Sequence, residues 1–166
     1  MDAIALEPVD ALTVTTLADN FTDMLLVDEG PARRPPMRVG EPAEFMDGGQ
    51  TLDALRAEHG FSALVTVTKG DREHRILFDT GMTTNGMVEN MRRLELRPDE
   101  IETVVLSHGH FDHTGGLHGL ARALGAKRLP VLLHTEAWTR TRPAIPGRDP
   151  LEIPTTEDEV LRPANP

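Results

Sequence analysis

Apolar and polar residues alternate over Leu12-Thr13-Val14-Thr15-Thr16-Leu17, which predicts a strand. The strand runs into Asp19-Asn20, a polar pair suited to starting a turn. Phe61 to Val67 predicts a second strand, Lys69-Gly70-Asp71 a hairpin turn, and Glu73 to Phe78 the returning strand that delivers Asp79. From Asn85 to Leu94 the period changes: Met87, Val88, Met91 and Leu94 recur at helical spacing, and those methionines read as core packing. Leu96 to Glu100 is a return loop into Ile101-Glu102-Thr103-Val104-Val105-Leu106, a β-branched run that predicts a buried strand. Leu117 to Leu124 predicts a helix ending near Gly125. Pro130 to Leu133 predicts another buried strand, delivering His134, and Glu136 to Arg142 a short helix.

Two stretches carry no such period. Residues 30–50, beginning Gly30-Pro31-Ala32-Arg33-Arg34-Pro35-Pro36, are broken by proline and glycine and predict an irregular surface loop. It is either a cover over a site or a disordered insert. Residues 143–166 are proline-rich and polar, with no element expected. Between the loop and the second strand, Thr51 to Glu58 has helical composition, with Gly60 as its C-terminal cap.

Composition narrows the function. The 166 residues suffice for one domain with a real core. A formal net charge of -10, with no basic stripe, argues against a nucleic-acid partner. The absence of cysteine removes disulfides and thiolate metal sites and fits a reducing compartment. The acidic N-terminus is not a signal peptide, and no apolar stretch approaches the roughly 20 residues of a membrane span. A soluble cytoplasmic protein acting on a small molecule is expected.

The chemistry concentrates in Ser107-His108-Gly109-His110-Phe111-Asp112-His113-Thr114-Gly115-Gly116, directly behind the Ile101 strand. In an extended segment, residues two apart point the same way, so His108, His110 and Asp112 would converge while His113 faces a second point. Neutral imidazole and carboxylate suit zinc, iron or manganese. Gly115 and Gly116 are expected to let the backbone turn sharply. His74 is expected to face solvent, and His118 to serve surface or packing.

His108-x-His110-x-Asp112-His113 resembles the signature of the metallo-β-lactamase fold superfamily, and Phe78-Asp79-Thr80-Gly81 resembles its first motif. Leu17-Ala18-Asp19-Asn20 and Glu58-His59-Gly60-Phe61-Ser62 look like the branch that includes the dihydropterin ribofuranosyl-aminobenzene-phosphate synthases. The resemblance implies an α/β (α+β) fold, the N-terminal half of a four-layer αββα sandwich, with 1–166 a single but incomplete, C-terminally truncated domain. It implies two zinc ions, with His108 and His110 serving one and Asp112 and His113 the other. Asp112 is also the expected catalytic carboxylate. It implies that Asp79 orients ligand residues and loop backbone, and that Asn20 and His59 line a pocket. A turn formed by Asn20 and a helix cap formed by His59 are the plain alternatives.

The later ligands of the family pattern have no counterpart. His134 comes too soon, and Asp149 and Asp158 follow no strand. At best two protein ligands per metal remain, so weak metal binding and little activity are expected of this chain alone. An unpaired sheet face would also be open to water, calling for a second chain or oligomer to cover it. The implied activity is a metal-dependent hydrolase using metal-activated hydroxide on an ester, thioester or phosphoester. The alternatives are a transferase in pterin-precursor synthesis, or a non-catalytic fragment that pairs with another chain.

Overall fold

The computed structural model describes residues 6–139, 142 and 146–153. Strand β1, Ala11–Ala18, pairs antiparallel with β4, Ser62–Lys69, which pairs antiparallel with β5, Arg72–Phe78. Lys69 lies opposite Arg72, and Gly70 takes a φ of 59° in the two-residue turn between them. Two short strands, β6 (Thr103–Val105) and β7 (Val131–Leu132), extend the sheet in parallel, giving the order β1-β4-β5-β6-β7. Helix α1, Gly86–Arg93, connects β5 to β6. Helices α2, Phe111–Thr114, and α3, Leu117–Leu124, connect β6 to β7. Gly125, with a φ of 60°, ends α3 where the sequence expects it.

The apolar stripes of α1 and α3 close one face of the sheet. Leu64, Leu77 and Val104 sit side by side in register and pack with Met87, Met91 and Leu120 in a single buried cluster. The opposite face follows the other strand parity: Val14, Val65 and Ile76 form one cross-strand row, and Ala63, Phe78, Val105 and Leu132 another. That face is open at its edges, where Leu12, Val14 and Leu132 are 61%, 56% and 58% exposed.

The stretch before β4 departs from expectation. Residues 30–50 are not wholly irregular, and Thr51 to Glu58 is not a helix. Arg38–Pro42 (β2) and Gln50–Asp53 (β3) form a separate antiparallel hairpin, with Val39 opposite Leu52. Gly48 and Gly49 both take positive φ before β3 begins. After β3 the backbone is claimed by a side chain. Asn90 on α1 accepts from the Arg56 N–H (3.0 Å) and donates to the Arg56 carbonyl (2.8 Å) and the Leu17 carbonyl (2.7 Å). The Arg56 N–H is a group that a helix at 51–58 would have used internally. Asp53 is drawn to α1 by Arg92 and Arg93, both at 2.7 Å. Arg92 is the first cause holding the Asp53 carboxyl below the usual carboxylate range.

Gly60 is therefore no helix cap. Near the other end of the chain, Thr135–Trp138 forms a single 3-10 turn in place of the helix expected over Glu136 to Arg142, of which residues 140–141 lie outside the described residues. Of the proline-rich tail, residues 146–153 contain no helix or strand, while 143–145 and 154–166 lie outside the described residues. Among the described residues, no helix is long and apolar enough to cross a membrane.

Candidate metal centre

The histidine motif leaves the carboxyl end of β6, an interior strand, where α/β sheets commonly place their chemistry. It does not stay extended. His110 takes extended angles (φ -69°, ψ 144°) and acts as the N-cap of α2, so Asp112 and His113 fall on the first turn of a helix. The parity argument for His108, His110 and Asp112 accordingly fails. The ring of His108 packs on both other histidines, with centroids 4.5 Å from His110 and 4.2 Å from His113. Asp112 turns instead toward His113 and His59. Its Oδ2 lies 3.6 Å from His113 Nε2 and 3.4 Å from His59 Nε2.

Steric demand explains this local path. Gly115 and Gly116 are not in a sharp turn; both have right-handed helical angles. They are needed because a Cβ at Gly115 would overlap the Met82 carbonyl, and one at Gly116 the Thr80 carbonyl. The motif helix thus lies directly against the loop that follows β5. Thr80 reinforces that contact, its N–H and hydroxyl both donating to the His113 carbonyl (2.8 and 3.0 Å).

Asp79 sits at the junction, 1% exposed, with a φ of 53°. Its Oδ1 accepts from the Ser107 N–H at 2.8 Å. Its Oδ2 accepts from the Ser107 hydroxyl and from His113 Nδ1, both at 2.7 Å. The proton inventory then assigns both rings. A carboxylate only accepts, so Ser107 Oγ–H and His113 Nδ1–H must donate to it. Ser107 Oγ has then only lone pairs left, so His108 Nδ1, 2.8 Å away, must donate to Ser107. In the neutral imidazoles, one buried carboxylate therefore puts the proton on Nδ1 of both His108 and His113 and leaves Nε2 as the lone-pair atom, the form that binds metals. Burial first, then the neighbouring His113 and His110, holds the His108 imidazole below its ordinary range, which favours the neutral ring.

The remaining expected residues are distributed as follows. Asn20 accepts from the Gly60 N–H through Oδ1 at 3.0 Å, anchoring the Glu58-His59-Gly60 segment. His59 is largely exposed and faces Asp112. His74 pairs with Glu102 at 2.9 Å, and His118 is exposed. His134 accepts from the Glu136 N–H, with 71% of its side chain open.

Two structural roles were not foreseen. Ser107 relays Asp79 to His108, and the Glu58 carboxylate accepts from the Met82 N–H (2.9 Å), the Thr83 N–H and the Thr83 hydroxyl. The glycines at 81 and 86, where a Cβ would overlap that carboxylate, were the available sign.

The donor set is chemically suited to a divalent metal: bare imidazole nitrogens and a carboxylate on a rigid strand-to-helix junction. Yet among the described residues no group of three or more His, Asp or Glu side chains is disposed to hold a metal ion as it stands. The donors are gathered in pairs.

A mixed sheet with helices on one face, and ionisable side chains at the end of an interior parallel strand, defines an α/β protein. The chain belongs to the metallo-beta-lactamase superfamily, whose sequence model matches residues 55–164. It is 40% identical over 78 residues to a 7,8-dihydropterin-6-methyl-4-(beta-D-ribofuranosyl)-aminobenzene-5'-phosphate synthase of Methanocaldococcus jannaschii, covering 47% of this chain and 26% of that one. An uncharacterized protein of the same archaeon is 43% identical over 61 residues, covering 37% and 22%. The chain thus spans about a quarter of the length of the curated relatives it matches. Among solved structures, a subclass B3 metallo-beta-lactamase from a soil metagenome library is 24% identical with a TM-score of 0.37, over 50% of this chain and 30% of that one.

Proposed function

We propose that these residues form part of the metal site of a metal-dependent hydrolase acting on a small ester, thioester or phosphoester. His108, His110, Asp112 and His113 are its ligands, and Asp79 holds them in place. The observation that carries this reading is the Asp79 network, which spends both Nδ1 protons inward and leaves two Nε2 lone pairs unused by protein. Zinc is the expected metal, two ions in a full-length relative, with iron or manganese compatible with the same donors. When bound, such a metal supplies Lewis acidity and makes water acidic enough to ionise near neutral pH. Asp112 is positioned to take up a proton beside it. The cysteine-free composition supports a cytoplasmic setting.

Zinc titration against a competing chelator tests the reading. With donors arranged in pairs, affinity in the micromolar range is expected, well short of a closed structural site. Nanomolar one-to-one binding would contradict the paired arrangement, and no binding at millimolar zinc would remove the metal site altogether.

The identity to the dihydropterin synthase favours a second reading, a transferase in pterin-precursor synthesis with a phosphorylated ribose as electrophile. Product analysis with a phosphoribosyl donor separates the two; hydrolysis products alone exclude the transferase. A third element of the proposal is that further protein, a second copy or a partner chain, covers the open sheet face carrying Leu12, Val14 and Leu132. Light scattering on the purified chain is expected to give a mass above one copy, and a monodisperse folded monomer would count against it.

A further inference from the structure

A fourth imidazole, that of His59, lies beside the four ligand candidates. We infer that His59 is itself a metal ligand, completing the Asp112–His113 position; the inference rests on the reading of those two residues as ligands.

The distances are longer than a hydrogen bond and match the spacing of two donors on one metal. Asp112 Oδ2 lies 3.4 Å from His59 Nε2 and 3.6 Å from His113 Nε2. A charge-assisted hydrogen bond would be nearer about 2.7–2.9 Å. Bonds of about 2.0–2.2 Å at tetrahedral angles place two donor atoms roughly 3.3–3.6 Å apart. The carboxylate oxygen therefore stands one tetrahedral edge from each imidazole nitrogen. On His113 that nitrogen is the bare one, because Nδ1 donates to Asp79.

The backbone of His59 is held in place from both sides. Glu58 N–H donates to the Asp19 carbonyl (3.0 Å), Gly60 N–H to Asn20 Oδ1 (3.0 Å), and Phe61 N–H to the Asp112 carbonyl (3.3 Å). Gly60 makes this approach possible, since any Cβ there would overlap the Asp112 carbonyl. Two other segments of chain, Asp19-Asn20 and the motif at Asp112, thus hold the 58–61 stretch so that His59 faces the site. That side chain is 67% exposed and has room to rotate. The three donors do not share a focus as they stand; on this inference the exposed His59 ring must turn about its side-chain bonds when metal binds.

Cobalt(II) titration of the full chain, followed by its visible absorption, tests this on the wild type, His59→Ala, His59→Cys and His113→Ala. His59→Ala is expected to weaken cobalt binding about tenfold or more, with an unchanged urea midpoint. In His59→Cys, the only thiol in the protein is expected to give a thiolate-to-cobalt charge-transfer band absent from the wild type. A purely structural His59 gives no such band. If His59→Ala binds cobalt like the wild type and His59→Cys shows no band, while His113→Ala is weakened, the inference falls and the ligand set stands. If the wild type binds no cobalt, or His113→Ala binds it equally well, the ligand set falls and the inference with it.

Discussion

Gly60→Ala is expected to lower stability by at least about 3 kcal/mol, measured as the shift in a urea unfolding curve. Two effects add. Gly60 has a φ of 109°, beyond even the left-handed well that asparagine or aspartate visits, so any Cβ is strained. The new methyl would also overlap the backbone carbonyl of Asp112, which cannot swing aside as a flexible side chain would. Gly70→Ala separates the two. Gly70 also has a positive φ, 59°, but nothing lies within 4 Å of a Cβ there. It is expected to cost only about 1–2 kcal/mol. Equal losses at the two positions would show that the close approach of residue 60 to the motif carries no weight. Because the displaced carbonyl belongs to Asp112, zinc affinity is expected to fall in Gly60→Ala and to hold in Gly70→Ala.

Asp79→Ala is expected to cost about 3 kcal/mol and to weaken zinc binding about 10- to 100-fold. The carboxylate is buried and accepts three hydrogen bonds, so its loss strands the Ser107 N–H and hydroxyl and the His113 ring proton together. With no acceptor inside, both imidazoles lose the constraint that presents Nε2 outward. Asp79→Asn is expected to fall between, because asparagine tolerates the φ of 53° and keeps one acceptor oxygen. Ser107→Ala releases only the His108 arm, so its effect on zinc should be smaller than that of Asp79→Ala. Urea curves with and without zinc give both quantities. A zinc affinity untouched by Asp79→Ala would mean that the carboxylate serves the fold alone.

Much of this was legible in the order of residues, for reasons that are local. Alternation in β1 and the methionine stripe of α1 report on burial of one face, which period encodes, and the Gly70 turn reports a local backbone conformation. The errors arose where a distant group decides. Thr51 to Glu58 has helix-forming residues, but Asn90, over thirty positions away, takes the backbone groups of Arg56. The motif reads as extended by analogy with the strand before it, but helix α2 is set by contact with the carbonyls of Thr80 and Met82, which only the fold brings near. Asp79 was recognisable from its place in a motif. Ser107 as the relay to His108 was not, because the proton assignment depends on which atoms meet.

The small β2–β3 hairpin sits on α1 with little apolar cement: Val39 and Leu52 are both exposed. What holds it is charge: Arg38 to Glu95, Arg92 to Asp53, and Arg93 to Asp53. Dissolved ions weaken contacts between exposed charges far more than contacts with a buried one. Arg93 is almost wholly enclosed, whereas Arg92 and Glu95 are open to solvent. In concentrated electrolyte the hairpin keeps its enclosed Arg93–Asp53 rivet and the Asn90 clamp on Arg56 behind it, so its far end loosens about Asp53 before its root does.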